Sequence, residues 1–95
     1  VRTIPFSART KVSEGILFRE LDGESVILSL DAETYFGLDE VGTRAWELLR
    51  AGPTIQAAYE ALCAEYDVDG EQLRRDLEEL LDQLITHQLI VVDVS

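Results

Sequence analysis

A chain of 95 residues fits one domain, large enough for a modest core without staples. Hydrophobic residues make up 46% and charged residues 28%, as in an ordinary soluble globular protein. No stretch approaches the roughly 18 apolar residues that would suggest a membrane span.

The net charge of −11 is unevenly spread. Residues 1–13 carry Arg2, Arg9 and Lys11 and no acid, which leaves −14 on residues 14–95. Nucleic-acid binding depends on Lys and Arg neutralising phosphates, so this body repels nucleic acid. It would more readily attract a basic protein or peptide. The single Cys63 has no internal disulfide partner, which suits a reducing cytoplasm. Residues 1–13 show neither an apolar core nor a small-residue cleavage site, so no signal peptide is expected.

In chain order, residues 1–13 contain Pro5 and read as a basic arm, flexible or at best an edge strand, outside a single domain over 14–95. Ile16 to Leu21 is the first expected strand. Asp22-Gly23 follows, a hairpin signal because both residues tolerate the positive φ of a tight primed turn. Ser25 to Leu30 is the second strand, with Val26, Leu28 and Leu30 on one face and Ile27 on the other. Asp31-Ala32-Glu33 turns the chain into a third strand, Thr34 to Leu38. The result is an antiparallel meander whose third strand has no successor to cover its far side.

Three helices follow. Asp39 caps the first, which runs to about Arg50 and stops at Ala51-Gly52-Pro53. Thr54 caps the second, with Ile55, Ala58, Tyr59, Leu62, Cys63 and Tyr66 at helical spacing. Asp69 with Gln72 forms a capping-box-like start to the third, whose stripe is Leu73, Leu77, Leu80, Leu81, Leu84 and Ile85. Leu89 to Val94 reads as a terminal strand. The class is α+β: a three-stranded antiparallel sheet packed on a three-helix unit in winged helix-turn-helix order.

Nothing here suggests catalysis. His87 is the only histidine and has no Cys or His partner at ligand spacing. Cys63 lies on an apolar helix face and reads as a small core residue. Glu78, Glu79 and Asp82 occupy an outer helix face, where charge is the default. No phosphate loop or nucleophile elbow is present. The helical order makes a winged-helix DNA-binding regulator the alternative, because such proteins place a helix in the major groove. The third helix offers Gln72, Arg74, Arg75 and Gln83 for that purpose, but Glu71, Asp76, Glu78, Glu79 and Asp82 outweigh them.

Peptide binding survives this filter. A free sheet edge accepts an extended peptide as an added strand, the main chain giving affinity and side-chain pockets specificity. On the third strand Thr34, Phe36 and Leu38 share one face and Glu33, Tyr35 and Gly37 the other. At about 100° per residue around Leu77, one rim of the third helix holds Arg74, Glu78, Leu81 and Ile85. The other holds Leu73, Asp76, Leu80 and His87, and the sequence leaves open which rim faces the strand. Phe36, Leu77 and Leu81 read equally well as core.

Several runs together resemble the pyrroloquinoline-quinone biosynthesis protein D (PqqD) family, the leader-recognition domains of ribosomally made, modified peptide pathways. They are Leu28-Ser29-Leu30-Asp31, Tyr35-Phe36-Gly37-Leu38-Asp39, Val41 to Leu49 with Trp46, Leu73-Arg74-Arg75-Asp76-Leu77, Leu80 to Leu84 and Leu89-Ile90. Asp39 stands where the family commonly has Asn, and Gln88 where it often has Gly. The stand-alone proteins of lasso-peptide pathways are similar in size and in the Trp46 helix. The resemblance implies a non-enzymatic protein without cofactor that holds a precursor's leader peptide. It would deliver that leader to a leader peptidase and other maturation enzymes. The expected peptide-binding residues are Glu33, Thr34, Tyr35, Phe36, Gly37 and Leu38 on the strand. On the third helix they are Arg74, Arg75, Asp76, Leu77, Glu78, Leu81 and Ile85.

Overall fold

Local turn and cap chemistry sets most of the architecture. In the computed structural model, which describes residues 4–52 and 54–93, Asp22 and Gly23 take φ of 55° and 84°. They join β2 (Ile16–Leu21) to β3 (Glu24–Ser29), and Leu21 pairs directly with Glu24. Because the turn uses only two residues, β3 begins and ends one residue earlier than the sequence suggests. Leu30 falls in the next turn, where the Ala32 N–H donates to Ser29 Oγ. β4 (Thr34–Leu38) then pairs with β3, giving an antiparallel sheet in the order β2-β3-β4.

The buried face of β3 is the opposite of the one its apolar count suggests. Ser25, Ile27 and Ser29 point inward, whereas Val26 and Leu30 are exposed. Small serines let a helix approach closely, and the buried Ser25 hydroxyl meets the Thr43 hydroxyl at 2.8 Å. That pair satisfies two polar groups that would otherwise be costly to bury.

The three helices are α1 (Glu40–Ala51), α2 (Ile55–Glu65) and α3 (Gly70–Thr86). Asp39 Oδ1 accepts from the Gly42 N–H at 2.7 Å and Thr54 Oγ1 from the Ala57 N–H at 3.1 Å, as N-caps do. Gly52 closes α1 by donating its N–H to Leu48 O. Its φ is −86°, so its role is steric: a Cβ there would stand 3.0 Å from Leu48 O. Asp69 caps α3 through the Glu71 N–H. The capping box does not form, because the Gln72 amide donates forward to Asp76 at 2.9 Å.

Residues 4–12 are not a loose arm. Ile4, Phe6 and Ala8 are buried in the core, and β1 (Arg9–Val12) pairs antiparallel with β5 (Ile90–Asp93) from Arg9↔Asp93 to Val12↔Ile90. The Phe6 and Ala8 carbonyls accept from the Gln56 and Ile55 N–H groups at 2.7 and 3.0 Å. Two donors that open α2 without intrahelical partners are thereby satisfied. The alternation at Ile4, Phe6 and Ala8 is a strand period interrupted by Pro5 and muted by a small alanine. Residues 1–3 of the expected arm, the Pro53 breaker and Val94 of the terminal strand lie outside the described residues.

Between the larger sheet and the helices, Trp46 stacks on Phe18 with ring centroids 5.9 Å apart. Ile27, Ile55, Leu62, Leu81, Leu84 and Leu89 are fully buried. No described helix is long and apolar enough to cross a membrane.

α1 and α2 are also clasped at the surface by a two-pronged Arg44–Glu65 pair, both bonds 2.7 Å. The bond from Arg44 holds the Glu65 carboxyl below its ordinary value of 4.5. A lowered folded-state value gives stability that is present above the unfolded value and lost as pH falls through the folded one. The pair is exposed, so its contribution is small and screened by salt. Thermal melts should therefore show a slight deficit for Glu65→Gln at neutral pH that disappears below the glutamate range. A deficit that persists or grows in acid would contradict this.

Candidate groove between a sheet edge and a helix

β4 ends its sheet: β3 lies on one side and, among the described residues, no strand on the other. Such an edge leaves alternate N–H and C=O groups outside the ladder. Its inner-face residues Phe36 and Leu38 are half-buried and buried, whereas Tyr35 on the outer face is 71% exposed.

Beside this edge runs a groove of about 450 Å³. Its strand wall is Phe36, Gly37 and Leu38, continued by Asp39, Val41 and Gly42 at the start of α1. Its floor is apolar, from Ala45, Leu62, Leu73 and Leu77, with Val68 of the α2–α3 connection at one end. Its far wall is one side of α3: Gln72, Asp76, Glu79, Leu80 and Gln83. At about 100° per residue these fall in a single arc on one side of Leu77. Gly37 borders the groove through its backbone; the position its Cβ would take is on the outer face with Tyr35 and has nothing within 4 Å. His87, at the end of α3, lies 5.3 Å from the Phe36 ring and within 2.8 Å of Gln83 O through Nδ1. The C-terminal turn of α3 therefore sits at the Phe36 end of the groove, and its N-terminal turns face Asp39.

Of the expected residues, the fold brings Phe36, Gly37, Leu38, Asp76 and Leu77 together around this groove. Thr34 and the exposed Glu33 and Tyr35 lie on or next to the same strand without lining it. The rim of α3 carrying Arg74, Glu78, Leu81 and Ile85 faces elsewhere. Arg74 sits over the Phe6 ring, 4.1 Å from its centroid, and pairs with Glu78 at 3.5 Å. Leu81 is fully buried and Ile85 packs on the core. Arg75 is exposed, 3.9 Å from Glu71. The physical reason is Phe6 together with the core: Phe6 takes Arg74 and the core takes Leu81 and Ile85, which leaves the Asp76 rim for the groove. The α3 residues that line the groove outside the expected set are Gln72, Leu73, Glu79, Leu80 and Gln83, and Asp39, Val41, Gly42, Ala45, Leu62 and Val68 join them from other elements. The signal for the α3 residues was the Ile4-Phe6-Ala8 alternation, which marks a segment that must pack somewhere.

The site is suited to holding an extended apolar segment. Among the described residues no three His, Cys, Asp or Glu side chains are grouped to hold a metal ion. Cys63 is half-buried, and its proximity, followed by burial, raises the Tyr59 hydroxyl above its ordinary value. Tyr59 in turn donates to Gly70 O at 2.9 Å. These are packing contacts away from the groove.

Comparison with known proteins gives a consistent result. The family described as coenzyme PQQ synthesis protein D (PqqD) matches residues 24–90, from the start of β3 to the start of β5. A solved structure described as TbiB1 in complex with the TbiA(beta) leader peptide is 41% identical, with a TM-score of 0.78. The likeness covers 84% of this chain and 93% of that one. No match was found among curated proteins. The family pattern spans well over half the chain, and a 41% identical relative shares its α+β arrangement of an antiparallel sheet and three helices; the chain belongs to the PqqD family.

Proposed function

We propose that this chain is a non-catalytic binding protein for the leader region of a ribosomally synthesised precursor peptide. The leader adds to the free edge of β4 as a further strand. One observation carries the reading: that edge runs along an apolar groove walled by α3, so an added strand would have both backbone partners and a pocket for alternate side chains. The complex of the 41% identical TbiB1 with a leader peptide supports it. At a finer level, the bound leader is presented to a leader peptidase and cyclase of a lasso-type pathway.

The test is an amide-shift titration of the labelled chain with the TbiA(beta) leader peptide as the probe. Shifts should concentrate in residues 34–39 and 72–83. Shifts confined to β1, β2 or α2 would overturn the site.

Arg74 has a structural part in this reading. Removing it with Arg74→Ala loses the contact over Phe6, worth about 0.5–1 kcal/mol at an exposed site. Thermal denaturation should show that loss, while calorimetric titration with the leader gives an unchanged Kd. A large loss of affinity from this substitution would return the groove to the other rim of α3.

A further inference from the structure

Resting on the leader-binding reading, we infer that the segment taken by this groove is basic as well as apolar. A Lys or Arg of the added strand stands two residues from an aliphatic or aromatic anchor, and it meets Asp76 and Glu79 while the anchor fills the floor. The charged side chains lining the groove are Asp39, Asp76 and Glu79, all acids. Among the described residues no Lys or Arg lines it, although α3 supplies two. Those two are turned away, Arg74 onto Phe6 and Glu78 and Arg75 towards Glu71.

The acids retain capacity for a guest. Asp76 accepts one bond, from Gln72, and an ionised carboxylate has about four acceptor positions. Asp39 uses Oδ1 for its cap. A leader carrying Asp or Glu at the inward positions would place like charges beside these three, which costs affinity and rejects the wrong segment. The spacing follows from the pleat. Inward side chains recur at every second residue, so a strand matching the five residues of β4 presents two or three of them to the groove. The floor is apolar and the acids lie along its α3 wall and at its Asp39 end. Anchor and cation therefore share one face of the guest strand.

A displayed library of random 12-residue peptides, selected against the full chain, is the probe. Selected peptides should carry Lys or Arg two residues from an aliphatic or aromatic residue. Synthetic copies should shift the amides of residues 34–39. They should bind the Asp76→Asn, Glu79→Gln double variant about five-fold or more weakly, given typical exposed pair energies. A Glu14→Gln, Glu20→Gln variant has the same change in net charge on exposed residues outside the groove lining and should bind as the parent does. Peptides that shift residues 34–39 but lack the cation, or that bind all three proteins alike, overturn the charge inference and leave strand addition standing. Equal weakening by both double variants overturns it too, because the attraction is then the general field of an acidic chain. Failure to select any peptide that shifts residues 34–39 overturns the leader-binding reading itself, and the inference with it.

Discussion

Trp46→Ala should lower stability by about 3–5 kcal/mol, the usual cost of truncating a buried Trp or Phe to alanine. Trp46 is 1% exposed, stacks on Phe18 of β2 and belongs to α1, so it fastens the sheet to the helices. Against a total of about 5–15 kcal/mol for a domain, that loss takes much of the reserve. The expected fall in Tm is of the order of 15–30 °C. Trp46→Phe is the informative companion. The indole Nε1–H is buried without a hydrogen-bond partner among the described residues, and a phenyl ring removes that unsatisfied donor. The gain offsets part of the lost volume, so Trp46→Phe should cost far less than alanine. Equal losses for the two would mean that ring packing on Phe18 contributes little.

Leu80→Lys should weaken leader binding at least about ten-fold while the chain stays folded. Leu80 is half-buried and lines the α3 wall of the groove, so a lysine stem can lie along the surface with its ammonium in water. It would put a hydrated charge where the leader's apolar anchor must sit, and a tenfold change corresponds to about 1.4 kcal/mol. Ile85→Lys is the matched control. Ile85 is also half-buried on α3, but on the rim away from the groove. Its substitution should reduce Tm and leave the Kd of the remaining folded protein unchanged. Calorimetric titration at a temperature where both variants are folded decides between them. The opposite pattern, with Ile85→Lys blocking binding and Leu80→Lys tolerated, would place the leader on the other side of the helix.

The parts of this fold that were legible in the sequence are those governed by neighbours a few residues away. Asp22-Gly23 marks the hairpin, Asp39, Thr54 and Asp69 mark three helix starts, and the leucine stripe marks α3. The parts that were not legible depend on distant partners. Ser25 and Ser29 face inward because α1 brings Thr43 up against β3, a fact absent from the β3 segment itself. Residues 4–12 acquire their order from α2 and β5, tens of residues away. The choice between the rims of α3 follows from that packing. A periodic helix announces its apolar stripe, but only its neighbours decide which flank remains open.

The pairing of Arg9 with Asp93 also has a consequence for synthesis. Chains emerge from the ribosome N-terminus first, at about 5–20 residues per second. The β2-β3-β4 meander finds its partners within one another and can assemble early. β1 cannot, because the strand it pairs with, β5, is among the last described residues to be made. Until then Ile4, Phe6 and Ala8 can find only the α2 and α3 parts of their seat, which themselves wait for residues 55–74. Closure of the small sheet is thus the late, high-contact-order step of folding. A chain stalled before β5 would leave its first strand unpaired and open to association with other chains.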